Sequence, residues 1–311
     1  MADLPIEAGM THSTLRAQTL FGWRDEFLSI LARRKLKPKT LCGRANNLRW
    51  LCASLGDIPL QSIRPAHIVN TIKPIWESGR QFTARRVLIE AKDLFNEAIY
   101  AELMDRNPAI FLRALPTEVR RARLTLAQWE SIHQRAGEKG KLWFQHALRL
   151  ALATAQRRAD IARLSLAAIW DEHLHIEQQK NGTKVAIPLQ LYCPPLKRQL
   201  GDIIAETQHY RAGGQYLVRK TNGMPYEVSA LTVNFASLRD EVIPITEWEG
   251  LEPATFHEIR SLSERIYRPY GINTNTLLGH TSQAMTDGYN GTRRQKEKEW
   301  RRLVLHGLPP A

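Results

Sequence analysis

Four short stretches in the second half of the chain hold residues that could act together on a phosphodiester. They are TAQRRADIARL at 154–164, QQKNGTKVAIPL at 178–189, TFHEIRSLSERIY at 255–267 and LLGHTSQAMTDGYNG at 277–291. Cationic side chains around a hydroxyl suit this chemistry, because guanidinium groups neutralise the extra charge of five-coordinate phosphorus. A tyrosine could attack the phosphorus, and a lysine or histidine could protonate the leaving 5′ oxygen. The candidate residues are Arg157, Lys180, His257, Arg260, His280 and Tyr289.

Each stretch has an ordinary structural explanation when it is taken alone. Arg157 then belongs to a surface arginine pair, Lys180 is a soluble turn residue, and the late tyrosine is a half-buried aromatic. Spacing adds weight in two of the stretches. His257 and Arg260 are three residues apart, so one helical face would aim both at a single anion. Asp160 follows Arg157 by three residues, close enough on a helix to hold that guanidinium in place.

The sequence lacks the signatures of other kinds of site. The carboxylates are not clustered with the histidines, and Cys42, Cys52 and Cys193 show no CxxC or Cys/His ligand spacing. No glycine-rich phosphate loop precedes a helix, which argues against a nucleoside triphosphate. The sequence therefore predicts neither a metal nor any other cofactor.

The charge of the chain favours a polyanionic partner. Its 311 residues include 44 Lys and Arg against 31 Asp and Glu, which gives a formal net charge of +13. Such a surplus favours nucleic acid, although it does not separate binding from catalysis. Apolar residues make up 43% of the chain, which is typical of a folded protein. With few cysteines, no secretory signal and no membrane span, we expect a cytoplasmic, nucleoid-associated protein.

The first part of the chain has the pattern of a small helical domain. Amphipathic segments separated by Pro and Gly turns run from about Leu20 to Glu102. We predict a tail over 1–11, a helical domain over 12–112, and an extended basic linker over 113–123 that follows a phosphate backbone. The basic residues of these segments either form a solvated face or contact phosphates. The candidate DNA contacts are Lys37, Lys39, Arg44, Arg85, Arg86, Arg120, Arg121 and Arg123.

The second domain, over 124–311, is predicted to be mostly helical with a small sheet. Thr125 is a candidate N-cap for the helix LAQWESIHQRA, and KLWFQHALRLALATA is apolar on most faces, as expected of a core helix. LHIEQQK and TKVAIPL flank Asn181-Gly182, which predicts a hairpin with Lys180 at the end of its first strand. Helical patterns return from about Val228. The fold class is therefore mainly α with a small β-sheet.

With its four motifs in this order, the chain resembles the tyrosine recombinases, and among them the bacteriophage lambda-type integrases. The resemblance runs from about residue 20 to about residue 300. TAQRRADIARL is similar to the family's first-arginine box, and the hairpin is similar to the segment that bears a mobile catalytic lysine. TFHEIRSLSERIY resembles the HxxR box, and LLGHTSQAMTDGYNG resembles the box with the nucleophile. The resemblance implies a helical, SAM-like core-binding domain and an α+β catalytic domain that form a C-shaped clamp on duplex DNA.

The resemblance also implies an activity. This is site-specific recombination through a 3′-phosphotyrosyl intermediate, by which a phage or mobile element is integrated or excised without metal or ATP. Tyr289 would be the nucleophile, Lys180 the general acid, and Asp160 a supporting acid. The two arginines would clamp the phosphate, and the two histidines would assist proton transfer. The implied partners are double-stranded DNA attachment sites, further copies of the chain in a homotetramer, a DNA-bending host factor and an excision directionality factor.

The chain departs from the family pattern in two places. Thr154-Ala155 stands where the family usually has Thr-Gly, and a methyl group there would be strained at positive φ. Only about a dozen residues precede the helical domain, so we expect no N-terminal arm-binding domain, either by nature or by shortening. The tail RRQKEKEWRRLVLHGL is either an ordinary terminal helix or a segment docked on a neighbouring subunit.

Two rival functions remain open from the sequence. One is a catalytically inactive, DNA-binding regulator, against which the intact set of candidate residues argues. The other is a resolving enzyme that separates replicon dimers or forms hairpin telomeres with the same chemistry. The lambda-like detail in TFHEIRSLSERIY favours integration over resolution.

Overall fold

The computed structural model of the protein describes residues 19–207, 213–280, 282 and 285–287. The chain divides into two compact units, Met1–Glu118 and Val119–Ala311. The division falls within the segment that we predicted as the linker. The described part of the chain is mostly helical with small sheets, as the sequence predicted.

The first unit is helical in its described part. Its helices are α1 (Leu20–Arg33), α2 (Pro38–Leu55), α3 (Pro65–Glu77) and α4 (Gln81–Tyr100), with a 3₁₀ turn at Leu60–Ser62. Phe27, Leu51 and Leu94 are fully buried, and each lies on the apolar face that the helical spacing predicts. The core forms because α4 packs against α2 and α3.

Hydrogen bonds hold parts of the predicted linker against the rest of the protein. Within the first unit, Trp76 Nε1 donates to the carbonyl of Pro116 at 2.7 Å, and the N–H of Glu118 donates to a side-chain oxygen at 2.9 Å. Within the second unit, the N–H of Ala122 donates to the carbonyl of Glu252 at 2.8 Å. The N–H of Glu252 donates in return to the carbonyl of Arg120 at 2.7 Å. Each half of the segment is therefore fastened to the unit to which it belongs.

In its described residues, the second unit combines helices with two short sheets. Its helices are α5 (Leu126–Glu138), α6 (Leu142–Thr154), α7 (Arg158–Ile161), α8 (Leu200–Ala205), α9 (Val228–Val242), α10 (Glu258–Tyr267) and α11 (Thr274–Leu278). Its strands are β1 (Ile169–Trp170), β2 (His173–Glu177), β3 (Lys184–Pro188), β4 (Tyr192–Cys193) and β5 (Arg198–Gln199). Its 3₁₀ turns are Leu166–Ala168, Pro194–Leu196, Ile245–Trp248 and Arg268–Tyr270.

Helix α6 is the centre of this unit. It packs against α5, α8 and α10, and its apolar side chains, such as Phe144 and Leu148, are fully buried. Thr125 caps α5 as predicted, because its side chain accepts the N–H of Gln128 at 3.2 Å. Helix α6 ends at Ala155, which has left-handed backbone angles, φ 56° and ψ 19°. This turn directs the following residues back toward the core.

The predicted hairpin is present, but its turn is longer than the sequence suggested. Strands β1, β2 and β3 form an antiparallel sheet in which Glu177 is opposite Lys184. Six residues, 178–183, connect the strands, and the N–H of Gln178 donates to the carbonyl of Thr183 at 2.9 Å, so that bond encloses a loop of four residues and not two. Lys180 consequently lies in the exposed loop and not at a strand end.

No helix in the described residues has the length and apolar character that crossing a lipid bilayer requires. The three cysteines are free thiols: Cys52 and Cys193 are buried, whereas Cys42 is exposed.

Candidate active site

Arg260 is the most deeply buried of the candidate residues. It lies in the first turn of α10 and is only 1% exposed. Its Nη1 donates to the carbonyl of Ala155 at 2.7 Å, and its Nη2 donates to the carbonyl of Leu278. The same Nη2 lies 3.1 Å from Nε2 of His280. One guanidinium therefore connects the end of α6, the end of α11 and a predicted histidine.

His280 follows α11 directly and is held from both ring nitrogens. Its Nδ1 lies 2.9 Å from Oγ1 of Thr286, and that hydroxyl donates to Oδ1 of Asn275 at 3.1 Å. An arginine can only donate, so Nε2 accepts from Arg260 and the proton of the neutral ring is on Nδ1. Every member of this chain then has a consistent donor and acceptor. The sequence analysis predicted neither Thr286 nor Asn275: Thr286 lies within the fourth stretch, but nothing in its spacing indicates a contact with His280, and Asn275 precedes that stretch.

Arg157 precedes the four-residue helix α7 as its N-cap and has an extended backbone, φ −71° and ψ 151°. Its Nη1 donates to Oε1 of Gln178, the residue two positions before the hairpin lysine. Gln178 is fully buried, and its Nε2 donates to Oε1 of Gln156 at 2.8 Å. The sequence analysis did not predict a role for either glutamine, because the contact between two buried amides cannot be inferred from residue spacing.

Asp160 makes a different contact from the one that we predicted. The described residues show no ion pair between Asp160 and Arg157; instead, Oδ1 of Asp160 accepts the backbone N–H of Gln179 at 2.9 Å. The prediction assumed that Arg157 is helical, whereas it lies just outside a helix of four residues, so the three-residue spacing does not align the side chains. Asp160 therefore fastens the hairpin loop to α7.

Two histidines share the positive field of this region. Removal from water, together with Arg260 and Arg157, lowers the pKa of His280 to about 4. The same causes, with additional contributions from Lys180 and Arg158, lower the pKa of His257 to about 4, even though its side chain keeps an exposed face. Both histidines are therefore neutral at pH 7. The structure thus brings together five of the six candidate catalytic residues.

Tyr289, the sixth candidate, lies outside the described residues. Two described tyrosines lie near the end of α10: Tyr267 is its last residue and Tyr270 follows it, and their surroundings differ. Tyr267 is buried and its hydroxyl donates to the carbonyl of Ala153 at 2.9 Å, while burial holds its pKa above the ordinary value. Tyr270 is exposed. Because its buried hydroxyl donates to the core, Tyr267 is a packing group.

Three of the predicted DNA contacts have protein partners instead. Arg44 pairs with Glu90 at 2.8 Å and with Asp93, because two acidic side chains of α4 face it across the helix pair. Arg123 pairs with the buried carboxylate of Glu258 at 3.2 Å and also donates to Ser261. Arg121 pairs with Glu252 at 3.2 Å. The sequence could not show these pairings, because the partners of Arg121 and Arg123 lie more than a hundred residues away.

The other predicted DNA contacts are exposed. Lys37 is the N-cap residue of α2, and its neighbour Lys39 lies in the first turn of that helix. Arg85 and Arg86 lie on the outer face of α4, and Arg120 lies in the linker. In the described part of the chain, no ion pair engages Lys39, Arg85, Arg86 or Arg120. Their charges are therefore available to solvent or to a polyanion.

Metal ligation has no evident place among the described residues, where no three His, Cys, Asp or Glu side chains are grouped to hold an ion.

Comparison with known proteins matches both units to one family. Residues 122–296 match the phage integrase family, and residues 24–114 match the phage integrase central domain. The integrase of Escherichia phage lambda is 31% identical, with 98% of this chain and 86% of that protein aligned. The prophage integrase IntE of Escherichia coli K12 is 33% identical, with 97% of this chain and 82% of that protein aligned.

Solved structures give the same result. The chain is similar to a lambda integrase dimer bound to a COC′ core site, with a TM-score of 0.81 and 30% identity, over 93% of this chain and 100% of that chain. A lambda integrase tetramer bound to a Holliday junction also has a TM-score of 0.81 and 30% identity, over 92% of this chain and 80% of that chain. Sequence motifs, fold and similarity agree: this chain belongs to the phage integrase family and is a tyrosine-type site-specific recombinase.

Proposed function

We propose that Tyr289 is the nucleophile and that it attacks the scissile phosphodiester of a DNA attachment site. The tyrosine oxygen forms a bond to phosphorus, and the bond from phosphorus to the 5′ oxygen breaks. The protein then carries the 3′ phosphate, and the freed 5′ hydroxyl attacks the partner duplex after strand exchange. The phosphoester energy is retained in this covalent intermediate, so religation requires no nucleotide.

The two arginines are proposed to bind the non-bridging oxygens of the phosphate. One observation carries this assignment: Nη2 of Arg260 and the amide of Gln178, which accepts from Arg157, both donate to the carbonyl of Leu278, so groups from all four sequence stretches share one location. Fixed guanidinium groups at such a place stabilise the charge that develops on five-coordinate phosphorus. Two backbone carbonyls hold the guanidinium of Arg260 in one orientation, so it does not have to rearrange as negative charge develops on the phosphate oxygens.

Proton transfer is assigned to the remaining groups. Because His257 is neutral, it can accept the proton of the tyrosine hydroxyl as the bond to phosphorus forms. The phosphate anion reduces the local positive field, which raises the pKa of the histidine toward the range useful for that transfer. Lys180 contributes to the field at His257 and is proposed to protonate the leaving 5′ oxygen. His280 is proposed to orient Arg260 toward the phosphate, because its Nε2 accepts from Nη2 of that guanidinium.

The proposed substrate is duplex DNA with core-type attachment sites. Supporting this, the similar lambda integrase structures are a dimer on a core site and a tetramer on a Holliday junction. We propose that residues 12–112 bind the core site, that residues 124–311 carry out the chemistry, and that four copies act on synapsed DNA. We also propose that the reaction integrates and excises a phage genome, and that a DNA-bending host factor and a directionality factor assist it.

Covalent capture of the nucleophile tests the proposed chemistry. The full chain is incubated with plasmid DNA at low salt, denatured with detergent, and digested with nuclease and protease. Mass spectrometry should find a nucleotide on the peptide that contains Tyr289, and the Tyr289→Phe variant should yield none. A nucleotide on any other residue would contradict the assignment.

A further inference from the structure

We propose that Gln178 is a positioning residue that aims Arg157 at the scissile phosphate, and that Gln156 holds Gln178 in the necessary orientation. This inference rests on the proposed function, in which Arg157 binds the phosphate. Gln178 itself would touch neither DNA nor the reacting atoms.

The orientation of the Gln178 amide is determined by its neighbours. Arg157 can only donate, so the atom that faces Nη1 of Arg157 must be Oε1. The carbonyl of Leu278 can only accept, so the atom 3.0 Å from it must be Nε2. A flipped amide would place like groups against each other at both ends. The side chain is fully buried, so no water could relieve that mismatch.

Gln156 fixes the amide of Gln178 from the other side. Its Nε2 donates to the carbonyls of Leu277 at 2.8 Å and Thr154 at 2.9 Å, which leaves its Oε1 to accept from Gln178. The two amides thus form a directed chain that begins at the carbonyls at the ends of α6 and α11 and finishes at Arg157. Both glutamines are buried, and the side-chain oxygen and nitrogen of each one have hydrogen-bond partners within the protein.

Gln178 also contacts the chain segments that carry two other site residues, Lys180 and His280. The backbone of Gln178 closes the hairpin loop that contains Lys180. Gly279, next to His280, has φ +59°, and a Cβ there would lie 2.8 Å from Nε2 of Gln178. Only glycine allows this approach, so the end of α11 is shaped around the amide.

Arg157 has little else to orient it. It lies outside α7 and is only partly buried, and in the described part of the chain its side chain donates no hydrogen bond besides the one to Gln178. One terminal nitrogen is thereby fixed while the remaining N–H groups of the guanidinium stay available for an anion. Without the amide, the long arginine side chain would sample other rotamers, and the phosphate would lose a preorganised donor.

The experiment compares Gln178→Leu with wild type in relaxation of negatively supercoiled plasmid at low salt in EDTA. The matched control is Gln134→Leu, the same change at an exposed glutamine of α5. Melting temperature and the half-saturating DNA concentration are measured for every variant. We expect Gln178→Leu to lower the maximal rate by about tenfold to a hundredfold, with both other quantities close to wild type. Gln134→Leu should stay within about twofold of the wild-type rate.

A second background separates positioning from a general structural effect. Arg157→Lys replaces the planar two-nitrogen fork by a single ammonium, so the amide no longer aims a second nitrogen at the phosphate, and Gln178→Leu should cost less than about threefold further. An equal loss in both backgrounds, or a wild-type rate for Gln178→Leu, would overturn the inference. If Gln178→Leu has a lower melting temperature than wild type, the relaxation rate of Gln178→Glu is measured in the same two backgrounds. This variant keeps the acceptor and loses the donors. Tyr289→Phe, run in parallel, tests the proposed function separately: its activity decides the nucleophile whatever the glutamine variants do.

Discussion

Nη2 of Arg260 lies 3.1 Å from Nε2 of His280, although twenty residues separate the two in sequence. This contact connects the HxxR motif on α10 to the segment that leads toward Tyr289. The donor is permanently charged, so the ring must accept and remains neutral. The pairing explains why a histidine at the edge of the catalytic centre enters the reaction unprotonated.

Replacement of Arg260 by lysine should abolish most of the activity. A lysine lacks the two separated nitrogens with which Arg260 reaches the carbonyls of Ala155 and Leu278, so it cannot reproduce the fixed fork at this position. We expect the rate of plasmid relaxation to fall by about a hundredfold or more. Arg106→Lys, at an exposed arginine outside the predicted DNA contacts, is the control and should keep its rate. Normal activity of the Arg260→Lys variant would show that a point charge is sufficient at this position.

The histidines of the site should titrate far below the ordinary range. Their pKa values of about 4 mean that the ring C–H resonances of His257 and His280 should stay constant from pH 7.5 to about 5.5. Addition of vanadate, an anion of the charge type of phosphate, should raise both pKa values. Nuclear magnetic resonance titration measures this, with His257→Asn and His280→Asn to assign the signals. Midpoints near pH 6.5 in the free protein would contradict the positive field that we describe.

Acid should destabilise the catalytic unit before its carboxylates titrate. Burial, with Arg149 and Arg219 nearby, lowers the pKa of His146 to about 3. A folded-state pKa below the unfolded value means that the unfolded chain binds the proton first, so stability falls as pH drops from about 6.5 toward 3. One such histidine removes about 2 kcal/mol of stability between pH 7 and pH 5. In guanidinium unfolding at the two pH values, His146→Gln should lose less than wild type, and an equal loss would refute the assignment.

Arg123 should matter for stability more than for direct DNA contact. Its pairing with Glu258 is largely shielded, with side-chain exposures of 12% and 5%. Removal of one partner leaves a buried charge, so Arg123→Ala should cost about 3 kcal/mol of unfolding free energy. Arg120→Ala, at the exposed arginine of the same segment, should change stability by less than about 0.5 kcal/mol. It should instead weaken DNA binding and reduce the dependence of affinity on salt by about one counterion. The reverse pattern would restore Arg123 as a DNA contact.

The left-handed residue at the end of α6 gives a matched test of backbone strain. Ala155 has φ 56°, a conformation that costs a non-glycine residue about 1–2 kcal/mol. Ala151→Gly, in the interior of the same helix, should be destabilising by about 1–2 kcal/mol, because it loses helix propensity and a buried methyl group. Ala155→Gly loses the methyl group but relieves the strain, so it should cost at least about 1 kcal/mol less than Ala151→Gly. Equal losses in chemical denaturation would mean that Ala155 is not strained.

The sequence predicted the parts of the molecule that local patterns determine. The cap at Thr125, the buried helix around Leu148 and the hairpin before Lys184 follow from side-chain chemistry and periodicity within a few residues. The four motifs appeared in family order, so the type of chemistry could be predicted as well. The strain at Ala155 was also foreseeable, because the usual glycine is missing there.

What the sequence could not show depends on contacts between distant segments. The partner of Asp160 is a backbone N–H in the hairpin, and the partner of Arg123 is a carboxylate on α10. Periodicity assigns a residue to a face but does not say which element covers that face. The amide pair of Gln156 and Gln178 is the clearest example, because uncharged side chains give no signal in the composition or in the spacing.

The most direct test of the account is relaxation of negatively supercoiled plasmid in EDTA at low salt, with wild type and Tyr289→Phe compared at equal concentration. The attachment site need not be known, because weak nicking and resealing of nonspecific DNA reports the same chemistry. We predict that wild type relaxes the plasmid and that the phenylalanine variant does not. Relaxation that survives in Tyr289→Phe would show that another group is the nucleophile and would contradict the central claim.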